Sequence, residues 1–118
     1  MNFLGATISK KNGLNFGSGI ELTMALPSSC KVGEKLTLGC RPEHILFDEK
    51  GKLQVTGKVD IIERLGEIGY AHVVLPTGQT VVAQVNGNPR VDIGDEVPLA
   101  LPEKQIHLFD ERGMALQS

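Results

Sequence analysis

Only five aromatic residues (Phe3, Phe16, Phe47, Tyr70 and Phe109) and no tryptophan stand among 118 positions. That is too few for the stacking platforms on which single-stranded nucleic acid is held. Nor is there a positive field to draw in a phosphate backbone, because 12 Lys and Arg against 14 Asp and Glu leave a formal charge of -2. Nucleic acid is not expected as a partner. Cysteine is scarce too: Cys30 and Cys40 show neither CxxC spacing nor the numbers of a disulfide scaffold, which is the usage of a reducing cytoplasm. No apolar run approaches the ~18 residues that cross a bilayer, and the first residues lack the charged-then-apolar pattern of a signal peptide, so a soluble chain is expected. The patterns GxxxxGK(S/T), GxGxxG and GxSxG are absent, which removes the usual support for nucleotide binding or hydrolase chemistry.

What is present points to β structure. Apolar residues fall on every second position at Ile20, Leu22, Met24 and Leu26, again at Leu36, Leu38 and Cys40, at Val81, Ala83 and Val85, and at Val97, Leu99 and Leu101. This is the period of half-buried strands. Turn signals separate the runs: Asn12-Gly13, Asp48-Glu49-Lys50-Gly51, Pro76-Thr77-Gly78, Asn86-Gly87-Asn88-Pro89 and Glu111-Arg112-Gly113. No window of 11 residues carries a clean helical period. The length suits one compact domain over residues 1–118, and short strands at this spacing predict an all-β barrel or sandwich.

Tyr70–Pro76 and Gln79–Asn86, joined by Thr77-Gly78, read as a β-hairpin. Before it, Gly66-Glu67-Ile68-Gly69 reads as a sharp bend or bulge that ends the long run from Leu53 to Leu65. An internal repeat is the most informative feature. Val32–Gly51 can be laid on Ile93–Gly113 with His107 as one insertion, and eight of the twenty aligned pairs are identical. In both copies a Gly-acidic turn launches a strand, a proline interrupts it, and Ile-Leu-Phe ends in an acidic turn. Two related β units follow from this.

Side chains with chemistry are scattered. His44, His72 and His107 have no His or Cys partner at metal-ligand spacing, so they read as solvated or hydrogen-bonded histidines and no metal site is expected. Cys40 aligns with Leu101 and reads as a buried, inert thiol. Cys30, after Ser28-Ser29, sits in a loop where nothing visibly lowers its pKa. The acidic pairs Asp48-Glu49 and Asp110-Glu111 lie in turn signals, and solvated turn carboxylates fit them better than a catalytic dyad.

Leu38-Gly39-Cys40-Arg41-Pro42-Glu43-His44 is similar to the G-(I/V)-R-P-E-(H/D) motif in the regulatory domain of ABC importer ATPases of the maltose, glycerol phosphate and polyamine type. Further along, Val59–Glu67 resembles that family's V-x-x-x-E-x-L-G-x-(E/D) stretch, Val91–Val97 its V-x-x-G-D-x-V, His107–Asp110 its H-L-F-D, and Met1–Leu4 the M-N-F-L that opens the domain. The resemblance covers essentially the whole chain. Cys40 departs from the family's Ile or Val but stays small and apolar.

The family implies an OB-like β architecture, often called the TOBE domain, attached to an ATPase domain that these residues do not contain. ATP and Mg would belong to that absent domain, and this stretch would hold no cofactor and catalyse nothing. The implied partners are a second copy of the same subunit as a homodimer, the transporter's transmembrane subunits through the ATPase domain, and a regulatory protein. The implied location is cytoplasmic, peripheral to the inner membrane. A small-ligand or oxyanion-binding module is the alternative. Arg41, Pro42 and Glu43 are the candidate interface residues, because Pro42 stops strand pairing and leaves two charges on a stiff loop; an intramolecular salt bridge that fixes the strand exit is the other reading. Glu67 is a further interface candidate. Backbone N–H groups of Gly66, Glu67 and Gly69, or of Gly33, are candidates for an anion nest, against plain turn geometry.

Overall fold

In a computed structural model that describes residues 1–47, 53–85 and 91–116, alternation sets the faces of the strands. Along β1 (Asn2–Lys10) every second residue from Asn2 to Ile8 is buried and those between are exposed. The strands β2 (Gly13–Gly17), β3 (Ile20–Thr23) and β4 (Lys35–Cys40) follow, then a 3₁₀ turn at Pro42–His44. Next come β5 (Leu53–Leu65), β6 (Ile68–Val74), β7 (Thr80–Val85) and β8 (Glu96–Leu101), a second 3₁₀ turn at Glu103–Gln105, and β9 (His107–Phe109). Among the described residues there is no α-helix. The all-β expectation holds.

Two antiparallel sheets form, ordered β3-β2-β1-β4-β9 and β7-β6-β5-β8. One apolar core joins them, with Leu14, Leu38, Leu53, Leu99, Val59, Val73 and Val81 at its centre. The two related units are present and reach further than the repeat legible in the sequence. β1 pairs with both β2 and β4, as β5 pairs with both β6 and β8. Even the turn hydrogen bonds recur: Gly33 N–H donates to Ile8 O and Gly94 N–H to Val59 O, both at 2.8 Å, while Ile8 N–H and Val59 N–H donate to Glu34 O and Asp95 O, both at 2.9 Å. Gly33 and Gly94 need the same left-handed backbone, φ 94° and 93°.

The units exchange their tails. After β4 and its 3₁₀ turn, Leu46 bridges to Ala100 of β8, in the other sheet; after β8 and its 3₁₀ turn, β9 pairs with β4. The open edge of β7 is sealed by a side chain. Asn2 Nδ2 donates to Val82 O at 2.7 Å and Asn2 Oδ1 accepts from Val82 N–H at 2.8 Å, so one buried amide stands in for a neighbouring strand. Gln79 Oε1 adds a bond from Gly5 N–H at 3.1 Å.

Three expectations need correction or limits. The sharp bend expected at 66–69 is present as a two-residue hairpin turn, across which Leu65 pairs with Ile68 with Gly66 at φ 66°, and it is not a bulge. The register shift lies instead between Val59 and Ile61, within one continuous 13-residue strand. The β6–β7 connection is longer than Thr77-Gly78, because pairing stops at Val74 and Thr80 and the turn is closed by Leu75 N–H to Gln79 O at 2.8 Å. The turn signals at 48–51 and 86–89 lie outside the described residues.

Replacing Asn2 with Ala would leave both backbone groups of Val82 without their partner, at an expected cost of about 2–4 kcal/mol. Urea denaturation measures it, and a loss below about 0.5 kcal/mol would show that the clamp is dispensable.

Candidate functional site

The turn that follows β4 is built by the order of its residues. Cys40 is 1% exposed and ends the strand in the core. Pro42 has no N–H to continue a ladder, so the chain turns there. Arg41 remains extended (φ -79°, ψ 143°), and His44 N–H donates back to Arg41 O at 3.0 Å. Ile45, 2% exposed, returns the chain to the core. The turn is therefore anchored at both ends and leans on β7. Arg41 and Glu43 are exposed on it, Pro42 is half-buried, and neither charge is ion-paired with another described residue. An internal salt bridge at the strand exit, one of the two readings of this motif, does not form among the described residues. His44 Nδ1 is enclosed without a hydrogen-bond partner among the described residues.

The equivalent turn of the second unit is tied down. Glu103 Oε1 accepts a bond from Ala25 N–H at 3.2 Å, which fastens that turn to the segment after β3. The first turn thus presents its charges outward where the second uses its carboxylate internally.

Other candidates fall on separate elements. Glu67 is exposed at the tip of the β5–β6 hairpin, whereas Gly69 lies inside β6, paired with Arg64 on one side and Val85 on the other. Gly66, Glu67 and Gly69 accordingly span a hairpin turn and an extended strand rather than one concave run. Gly33 spends its N–H on Ile8 O. Asp110 Oδ1 accepts N–H bonds from Arg112 and Met114, each at 2.9 Å, which makes it a turn carboxylate; Asp48-Glu49 lies outside the described residues. His72 Nε2 meets Glu63 Oε1 at 2.5 Å on the outer face of the β5–β6 hairpin, a contact that sequence spacing did not suggest.

No described group of three His, Cys, Asp or Glu is placed to hold a metal. An open groove of about 640 Å³ crosses the outer face of the first sheet between Gly5, Thr7, Asn15, Lys35 and Thr37, and it gathers no acid, base and nucleophile together. Both thiols are quiet. Burial, and then the Glu34 charge, push the Cys30 thiol up. Cys40 is pushed from 9.0 to about 11, first by burial and then by the Glu43 carboxylate, with its bond to Arg41 O pulling weakly the other way. Neither is a thiolate near neutral pH.

Because the folded-state value of Cys40 lies above the ordinary one, its contribution to stability is intact below pH 9.0 and is lost as pH rises towards about 11. Cys40→Val, which keeps the packing and removes the titrating group, is expected to flatten this alkaline fall in denaturation midpoints. An unchanged slope would assign the fall to other groups.

Comparison with known proteins gives a consistent picture. Residues 38–109 match the model of the TOBE domain, and residues 1–45 match that of the MalK OB fold domain. The lactose transport ATP-binding protein of Rhizobium radiobacter is 34% identical over 99 residues, covering 82% of this chain and 27% of that protein. An sn-glycerol-3-phosphate import ATP-binding protein of Chromobacterium violaceum is 32% identical, covering 82% of this chain and 26% of its own. The maltose/maltodextrin import ATP-binding protein of Mannheimia succiniciproducens is 33% identical over 73% of the chain. The chain spans about a quarter to a third of the length of such relatives. A solved structure of the cytoplasmic molybdate-binding protein ModG shares the fold, with a TM-score of 0.77 at 15% identity, covering 91% of this chain and 94% of that one.

Proposed function

The chain belongs to the TOBE-domain family, and from that premise we propose that it is the regulatory and dimerisation domain of the ATP-binding subunit of a carbohydrate-type ABC importer. The observation that carries this reading is the succession of the two family matches, 1–45 and 38–109, which meet at the Arg41-Pro42-Glu43 turn. ATP and Mg are handled by an ATPase domain elsewhere in the subunit, and that domain contacts the transmembrane subunits at the cytoplasmic side of the inner membrane. Among the described residues no helix is long and apolar enough to cross that membrane.

A β scaffold of this kind acts on a motor without touching its chemistry. Two copies held together keep their ATPase halves at high effective concentration while the nucleotide sites open and close. A regulatory protein that binds one state better than the other shifts the cycle by its differential affinity alone. The outward Arg41 and Glu43, on a turn whose ends are locked in the core, are suited to such contacts because little side-chain-bearing backbone has to be ordered on binding.

The ligand-binding alternative is separated by calorimetry. Titration with molybdate, phosphate and common sugars is expected to give no saturable heat, and sedimentation of the chain alone is expected to show concentration-dependent pairing. A saturable heat with a monomer at all concentrations would favour the ligand-binding module. ATP turnover by these residues alone would sink the non-catalytic reading.

A further inference from the structure

The two units differ most at one place. Val59 of β5 stands where Ile8 of β1 stands, each bonded to the turn that leads into the neighbouring strand. Past this point β1 ends almost at once, at Lys10, whereas β5 runs on to Leu65 and turns back into β6. The second unit thus carries a hairpin extension that the first folds without. Its side chains are not those of a solvated loop: Leu65 is 67% exposed, Ile61 49% and Ile68 42%.

Backbone directions show what the extension leaves unmet. Val59 gives its N–H to Asp95 O and accepts from Gly94 N–H, on the side of β5 that β8 occupies. Backbone groups alternate sides along a strand, and the register shift between Val59 and Ile61 moves the count by one. Ile62 and Arg64 therefore come next on that side. The hairpin turn agrees, because closing it directs Leu65, and with it Glu63 and Ile61, towards β6. β8 reaches only as far as Glu96, which pairs with Lys58, and among the described residues nothing bonds the backbone N–H and C=O groups of Ile62 and Arg64. The edges of β7, β8 and β9 are met by Asn2, Leu46 and Ala115. This stretch of β5 has no such cover among the described residues.

We propose that the outer edge of β5 from Asp60 to Leu65 docks an extended segment of a partner protein, which adds as a strand alongside Ile62 and Arg64. On the face of Ile61, Glu63 and Leu65 that segment carries a lysine or arginine between two apolar residues. Only a peptide backbone presents N–H and C=O groups at the spacing of a strand, which sets the class of occupant. Alternation places Ile61, Glu63 and Leu65 on one face as an apolar, acidic, apolar row, and the residues directly opposite on an added strand then favour apolar, basic, apolar. Charge around the edge agrees. The extension holds Asp60, Glu63 and Glu67 against Arg64, the adjoining turn adds Asp92, and Lys58 lies before the open stretch, opposite Glu96. Glu63 meets His72 but keeps 54% of its side chain exposed for a second contact. A second copy would bring acidic edge to acidic edge, which like charges disfavour. The surface is separate from the Arg41-Pro42-Glu43 turn, which leans on β7 at the other edge of the sheet.

The test follows the backbone amides of the whole chain by NMR during titration with a short synthetic peptide that has valine, lysine and valine at alternate positions and threonine between them. Saturable shifts centred on Ile62 and Arg64, with slowed hydrogen exchange at both amides, are expected. Glutamate in place of the peptide's lysine is expected to weaken binding at least about tenfold. Arg64→Ala is expected to bind as the wild type does. Arg64→Pro is expected to lose binding, since proline removes an outward-facing N–H and leaves the β5–β6 ladder whole; unchanged amide signals in the core show that this variant is folded. Absence of shifts at Ile62 and Arg64 in the wild type, or equal binding by Arg64→Ala and Arg64→Pro, overturns the proposal. Protection of those two amides that grows with protein concentration in the absence of peptide assigns the edge to a second copy and overturns it too.

Discussion

Exchange of the two tails is the constraint on which the rest of the molecule depends. A four-strand antiparallel unit has one apolar face and two open edges, and neither is tolerable in a domain of this size. Here β4 receives β9 from the second unit and β8 receives the Leu46 bridge from the first. Each unit is thereby completed by the other, and the two apolar faces become one core. The proline-marked turns after β4 and β8 follow directly, since the chain must leave one sheet and enter the other at those points.

That crossing explains where the outward-facing charges come to rest. Residues in a crossing segment are held at both ends by buried neighbours, Cys40 and Ile45 in the first unit, but need not face the core themselves. The second crossing uses its acidic residue, Glu103, to fasten the segment after β3, and among the described residues the first has no such bond. Two geometrically similar turns have thus taken different work, one internal and one available to a partner. The same divergence appears in the turns before β4 and β8, where matched turn geometry carries lysines in one unit and carboxylates in the other.

Much of this was legible in the residues because burial enforces a period. The alternation at Leu36, Leu38 and Cys40, at Val81, Ala83 and Val85, and at Val97, Leu99 and Leu101 marks β4, β7 and β8 correctly. The repeat from Val32 to Gly51 and Ile93 to Gly113 could be seen because tail exchange imposes the same sequence of turn, strand, proline and apolar plug twice. The equivalence of β1 with β5 was invisible. Those strands share only a pattern of burial, their lengths differ (9 and 13 residues), and a glycine such as Gly57 is fixed by a neighbour rather than by its own segment. A Cβ there would stand 2.5 Å from Val73 Cγ1. Nor could sequence reveal the Asn2 clamp, because its partner is 80 positions away and its signature is one ordinary amide. The β5–β6 turn was legible as a sharp bend, but the spacing of Gly66 and Gly69 could not tell a bend from a bulge, which rests on only Gly66 adopting a left-handed backbone while Gly69 is an ordinary strand residue.

The duplicated scaffold also sorts its positions by what they hold together. The exposed turns at 31–34 and 92–95 keep the same backbone bonds while carrying different charges. The core, by contrast, is closed by strand pairing and a buried amide clamp, interactions that are lost only on unfolding. The stiffness of the fold and the character of its surface are then set by different parts of the sequence. Core positions specify the first and the exposed turns specify the second, so the turns can change without disturbing the fold.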